Sequence, residues 1–238
     1  MSGLVLRQDI GGVALLVLNR PGKLNALSPE LFDELAMHLD AIEAVGAGVT
    51  CVVICGEGRS FCAGADMDAL QQRVVTEDPE FRSKTIQRLG DLPLPVIAAV
   101  HGHCYTGGLE LALAADIIVA SEDARFCDTH AKLGILPRWG LSVRLPRRIG
   151  LSAAKRMSFS GRPIEAAEAL RIGLCDHVVK AEELRAFALQ LANEIAANGR
   201  TAGQVKRLYS VSLELSLFQA LDFERRSSDP GGGTGRRE

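Results

Sequence analysis

Short apolar runs punctuated by glycine and proline make up the first half of the chain, and longer stretches at helical spacing make up the last third. Leu4 to Asp9 and Val13 to Leu18 flank Gly11 and Gly12, which tolerate the positive φ of a tight turn, so the pattern predicts two antiparallel strands. After the loop NRPGKLNALSP, Ser28 followed by Pro29 and Glu30 signals a helix start. Leu31, Leu35, Leu39 and Ile42 then recur at helical spacing towards an end near Gly46. Thr50 to Cys55 reads as a buried strand that runs into the glycine loop GEGRSFCAGAD, residues 56 to 66, and then a short helix from Asp66 to about Gln72. Residues 73 to 92 are polar and predict a mobile connection plus a helix. Val96 to Val100, β-branched and bounded by Pro95 and Gly102, predicts a buried strand, and the run breaks at Gly107 and Gly108 before resuming as a helix over Leu109 to Ala115. Ile117 to Ala120 and Arg125 to Cys127 predict short strands, and Leu133 to Leu136 leads into a loop-to-helix segment, PRWGLSVRLPRRIG. From Ser152 the chain reads as helical, with Gly173 as a C-cap and a last strand over Asp176 to Val179. Past Phe223 the residues are polar and glycine-rich, which predicts disorder.

Composition narrows the function classes. A net charge of −2 over 238 residues, with 47% hydrophobic content, suits one globular core and argues against a nucleic-acid partner. No apolar stretch is long enough for a membrane span, and Arg7 and Asp9 interrupt any signal-like core, so a cytoplasmic protein is expected. The six cysteines lie in or beside apolar segments without metal-type spacing, which predicts reduced thiols and no metal site.

Two features carry chemistry. Gly107 opens a turn whose free N–H groups and helix dipole suit an anion, and the glycine loop ending at Asp66 presents a second set of N–H groups at the mouth of a strand, so two donors can hold one oxyanion. Glu110 is the only formally charged residue between Pro95 and Asp116. Buried, it would have its pKa raised towards the proton-exchanging range; the competing reading is a first-turn acid that complements the helix dipole.

The ordered blocks NRPGKLNAL, FCAGAD, PVIAAVHGHCYTGGLELALAADIIVAS, FCDTHAKLGILP, RLPRRIG and SGRPIEAAEALRIGLCDHVV resemble the crotonase superfamily, the enoyl-CoA hydratase/isomerase group, over most of the chain. The resemblance implies an α/β fold, a spiral of ββα turns with a helical C-terminal region. It divides the chain into a core over 1–195, a C-terminal helical trimerisation region over 196–226 and a disordered tail over 227–238. It implies an enzyme that hydrates trans-2-enoyl-CoA in fatty acid metabolism, with no cofactor beyond the coenzyme A of the substrate, assembled as a homotrimer or pair of trimers. By position, the N–H groups of Ala65 and Gly107 become the oxyanion hole, Glu110 one of two catalytic glutamates, and Ala63 and Asp66 substrate-binding neighbours in the CAGAD loop. Arg20 and Lys23 become candidates for CoA phosphates.

Departures from the family pattern leave alternatives open. The second glutamate falls on His130, whose imidazole can act as acid or base if it faces the substrate, or can merely pack after loss of function. Asp128, two residues away, points to the same side in a regular strand and can then orient it. Arg138 and Trp139 replace a small run that lines the acyl region, and should reshape or gate it. Thr106 stands where a glycine is usual, Asp68 where a CoA-facing lysine is frequent, and the tail lacks the final helix that often closes the CoA site. A non-catalytic acyl-CoA carrier and an enoyl-CoA isomerase are therefore the alternatives to a hydratase.

Overall fold

In a computed structural model that describes residues 3–44, 48–71 and 78–228, the opening hairpin forms as its glycines require. β1 (Val5–Ile10) and β2 (Val13–Leu18) pair antiparallel, with Gly11 at φ 59° in the turn. Every residue of β2 and of β3 (Cys51–Gly56) is buried, as a strand covered on both faces requires. From β2 onward the pairing is parallel, through β4 (Val96–Val100) and β6 (Ile117–Ser121) to β9 (His177–Val179), in the order β1-β2-β3-β4-β6-β9. Alternate side chains face opposite ways. Leu16, Leu18, Val52 and Ile54 enter a core shared with α1 (Pro29–Glu43), whereas Leu15, Val17, Cys51 and Val53 pack on α8 (Leu184–Ala196).

A second sheet, in the order β5-β7-β8, is built from β5 (His103–Tyr105), β7 (Arg125–Cys127) and β8 (Ile164–Glu165). Only β7 follows from the sequence: β5, equally short, lies inside the glycine-bearing break between Gly102 and Gly107, and β8 has two residues. Cys104 and Phe126 of this sheet are buried in the same core as α1. The remaining helices are α2 (Met67–Gln71), α3 (Phe81–Asp91), α4 (Gly107–Ala112), α5 (His130–Leu133), α6 (Leu141–Ser160), α7 (Ala166–Arg171), α9 (Arg200–Ser212) and α10 (Leu217–Ser228). Ser28 caps α1 by accepting the Leu31 N–H at 3.3 Å, and α6 is broken by Gly150 at φ 76°. Gly173, at φ 78°, follows α7 and donates to Leu170 O at 3.1 Å, the stop expected of it.

Several boundaries differ from expectation. α1 stops at Glu43, short of Gly46, which lies outside the described residues. α4 begins two positions earlier than expected and ends at Ala112, because the glycines open the helix. The C-terminal end does carry a final helix: α10 continues past Phe223 to Ser228, with Leu217, Phe218 and Leu221 supplying its apolar side chains. The rest of the expected disordered tail, 229–238, lies outside the described residues, as does the start of the 73–92 connection, through residue 77. α9 is tied to the sheet end, since a Cβ on Gly203 would stand 2.0 Å from Pro93 O, and Lys206 pairs with Asp116 at 2.8 Å. These elements place the ends of β3 and β5, and the start of α4, around one opening.

Candidate active site

The glycine loop after β3 is held from two sides. Phe61 and Cys62 donate to His101 O and His103 O at 2.8 and 2.9 Å, and Leu27 donates to Gly64 O while Asp66 donates back to Leu27 O, at 2.8 and 3.0 Å. Asn25, fully buried, anchors this arrangement. Its Nδ2 donates to Glu57 O and Ser60 O, and its Oδ1 accepts the Arg20 N–H. The loop therefore meets the α4 turn at close range: a Cβ on Gly64 would lie 3.4 Å from Gly107 N, and one on Gly107 would lie 3.3 Å from Ala65 N. Neither the Ala65 nor the Gly107 N–H is bonded to a protein acceptor among the described residues. Gly108 is needed for the approach itself, because its Cβ would meet Cys62 O at 2.3 Å. Thr106, in the position where a glycine was expected, adopts φ 50°, a conformation costly for a β-branched residue, and its hydroxyl bonds that of Thr129.

Glu110 is buried in the first turn of α4, with one carboxylate oxygen fixed. Oε1 accepts the backbone N–H groups of Trp139 at 2.8 Å and Leu141 at 3.2 Å. Burial pushes the Glu110 carboxyl above the ordinary carboxylate range, against the lowering influence of those two donors and of His130. The reading of Glu110 as a mere dipole complement does not fit this burial. Its free oxygen, Oε2, faces His130 Nε2 across 3.7 Å, beyond hydrogen-bonding reach.

His130 does not lie on a strand, as its pairing with Asp128 had suggested. β7 ends at Cys127 and His130 opens α5, so the two side chains meet through a turn rather than through strand alternation. Asp128 Oδ1 accepts both the His130 N–H at 3.1 Å and its Nδ1 at 2.6 Å. An Asp two residues before a helix start is a recognisable Asx-turn signal, which the strand assignment had hidden.

Ala63, Ala65, Gly107, Glu110, His130, Arg138 and Trp139 line one cavity of about 510 Å³, together with Met67, Arg82, Leu133, Ile135 and Leu136. The Trp139 ring lies directly over the α4 turn, with its Cζ3 2.4 Å from where a Gly107 Cβ would stand, and it meets Phe32 edge-on at 5.2 Å. Trp139 is thus both core and wall. Arg20, Lys23 and Asp66 do not line the cavity. Arg20 pairs with Asp66 at 2.5 Å, Asp66 Oδ1 accepts the Asp68 and Ala69 N–H groups that start α2, and Lys23 pairs with Asp68 at 3.0 Å. Arg20 and Asp66 thereby tie the loop to the start of α2, whereas the Lys23–Asp68 pair is exposed. The cavity's own cations are Arg138 and Arg82, neither paired with a carboxylate among the described residues. Arg82 was missed because residues 73 to 92 show no pattern that places a side chain.

The sequence profile of the Enoyl-CoA hydratase/isomerase family matches residues 8–229. The short-chain-enoyl-CoA hydratase of Clostridium acetobutylicum is 37% identical over 229 residues, covering 94% of this chain and 87% of that protein. Among solved structures, the enoyl-CoA hydratase of Bacillus anthracis superposes with a TM-score of 0.88 at 33% identity, covering 97% of this chain and 90% of that one. A Thermobifida fusca protein in complex with CoA superposes with a TM-score of 0.86 at 28% identity, covering 94% and 91%.

Proposed function

We propose that this chain, which belongs to the enoyl-CoA hydratase/isomerase family, adds water across the C2=C3 bond of a trans-2-enoyl-CoA, using His130 and Glu110 as its proton-handling pair. The observation that carries the reading is the convergence, in one cavity, of two unpaired N–H donors with a buried carboxyl and an imidazole 3.7 Å apart. Attack of water on C3 moves negative charge onto the thioester oxygen, and donors fixed at Ala65 and Gly107 meet that charge without reorganising. His130 Nε2 takes a proton from the water as its oxygen bonds to C3. Glu110, whose protonated form burial favours, gives a proton to C2 as the enolate collapses. Passage of the proton from the imidazolium to the Glu110 carboxylate then restores both groups, so water is fully accounted for in the product. No cofactor is required beyond the coenzyme A of the substrate.

Trp139 supports a restricted acyl region. Its ring covers the Gly107 turn, and in this reading it limits extension of the acyl group past that turn. Trp139→Ala should raise kcat/KM for an eight-carbon enoyl-CoA relative to the four-carbon one by about tenfold or more, since a single methylene in an apolar pocket is worth about that much. An unchanged ratio in a folded variant would remove Trp139 as the acyl limit.

We further infer a homotrimer, alone or as a pair, acting in the cytoplasm in fatty acid metabolism. Leu213, Leu217 and Phe218 near the C-terminal end are 81%, 77% and 76% exposed, an apolar surface that association would cover. No helix among the described residues is long and apolar enough to cross a membrane. Light scattering at micromolar concentration should give three or six times the chain mass; a monomer would contradict the assembly.

A further inference from the structure

We infer that Asp128, supported by Ser158, is a positioning residue that fixes the His130 imidazole with Nδ1 protonated and Nε2 turned to the reacting carbons. The inference rests on the proposed hydration for its role, but its geometry stands apart from it. One carboxylate oxygen of Asp128 accepts two hydrogen bonds from the same residue, from the His130 N–H and from Nδ1, which together fix the ring's position and its face. Both side chains are buried, at 1% and 6% exposure, so water does not compete for either bond. A carboxylate only accepts, and the 2.6 Å contact therefore requires the proton on Nδ1. Burial pushes the Asp128 carboxyl up, yet hydrogen bonds from His130, Ser158 and the His130 N–H outweigh it and hold the pKa below the ordinary range, so the group is ionised. With Nδ1 engaged, the lone pair of Nε2 is left facing the cavity and Glu110. The imidazolium formed when His130 accepts a proton is then stabilised by the adjacent charge. This is how an imidazole can take the place of a carboxylate: a carboxylate brings its own charge, and His130 has it supplied from behind.

The competing role for Asp128 is purely structural, capping the first turn of α5. A cap has no reason to decide where the imidazole proton sits, so the state of the ring nitrogens separates the two. In the wild-type protein carrying nitrogen-labelled histidine, the nitrogen NMR spectrum should show a protonated, hydrogen-bonded Nδ1 on His130, assigned by its loss in His130→Ala. In Asp128→Asn the amide can donate to Nδ1, so the proton should move to Nε2, with kcat reduced by about a hundredfold or more, the scale of a wrong tautomer. KM should stay within about twofold, since acyl-CoA binding uses other groups. A wild-type spectrum with Nδ1 unprotonated overturns the inference, and that measurement needs no variant of Asp128 to fold. A folded Asp128→Asn protein with unchanged kcat overturns it as well. If the wild type does not hydrate enoyl-CoA, the functional reading fails while the spectrum still decides the role of Asp128.

Discussion

Glu110→Gln should lower kcat for hydration by about a hundredfold or more, the usual scale for losing a proton-transfer group, while leaving the fold intact and slightly stabilised. Glutamine keeps an oxygen for the Trp139 and Leu141 N–H groups, so the anchoring survives and only the transferable proton is lost. The stability effect has a definite sign. Burial raises the folded-state pKa of Glu110, so its favourable contribution is complete below the ordinary value of 4.5 and is lost as pH rises through the raised folded value. At neutral pH the variant is free of that penalty. Steady-state kinetics and thermal unfolding of the same preparation check both halves. A variant that is destabilised and inactive would mean that the loss of activity reflects damage to the site rather than the missing proton.

The donor turn predicts a second large effect. Gly107→Ala and Gly107→Pro both add a Cβ that meets the Trp139 ring at about the same place, 2.4 Å from Cζ3 before relaxation. Only the proline also deletes the N–H, and at the first position of α4 a helix tolerates proline. The difference between the two variants therefore isolates the donor. The proline variant should show acyl-CoA binding too weak to detect by calorimetry, and a kcat/KM for hydration lower than that of the alanine variant by about a hundredfold or more, as expected when an oxyanion donor is lost. Equal losses in the two would assign the effect to the displaced Trp139 ring instead.

Residues that repeat a pattern could be read from the sequence, whereas residues joined only by tertiary contact could not. β1 to β4, α1 and the Gly173 stop follow from apolar spacing and from glycine, and the structure has them within a few residues of expectation. Ala65, Gly107, Glu110 and His130 were brought together by the resemblance, and all four line one cavity. Asn25 gave no local signal, because its partners Glu57 and Ser60 are far away in the chain. The same holds for Ser158, which reaches Asp128 from α6. The Arg20–Asp66 ion pair likewise has no signature in the sequence, because a charge pattern does not show which carboxylate an arginine will meet. Trp139 is expected to reshape or gate the acyl region, but its backbone N–H on Glu110 is a contact that no side-chain pattern encodes.

Hydration by the Glu110 and His130 pair can be followed by mixing a four-carbon trans-2-enoyl-CoA with wild-type protein and with His130→Ala. The readout is the rate at which the thioester gains the mass of one water. If the pair performs hydration, turnover by the wild type lies far above the buffer control and falls by about a hundredfold or more in the variant, with the affinity for acyl-CoA preserved. Turnover that is the same in both proteins, or a wild type that binds the thioester without adding water to it, would contradict it.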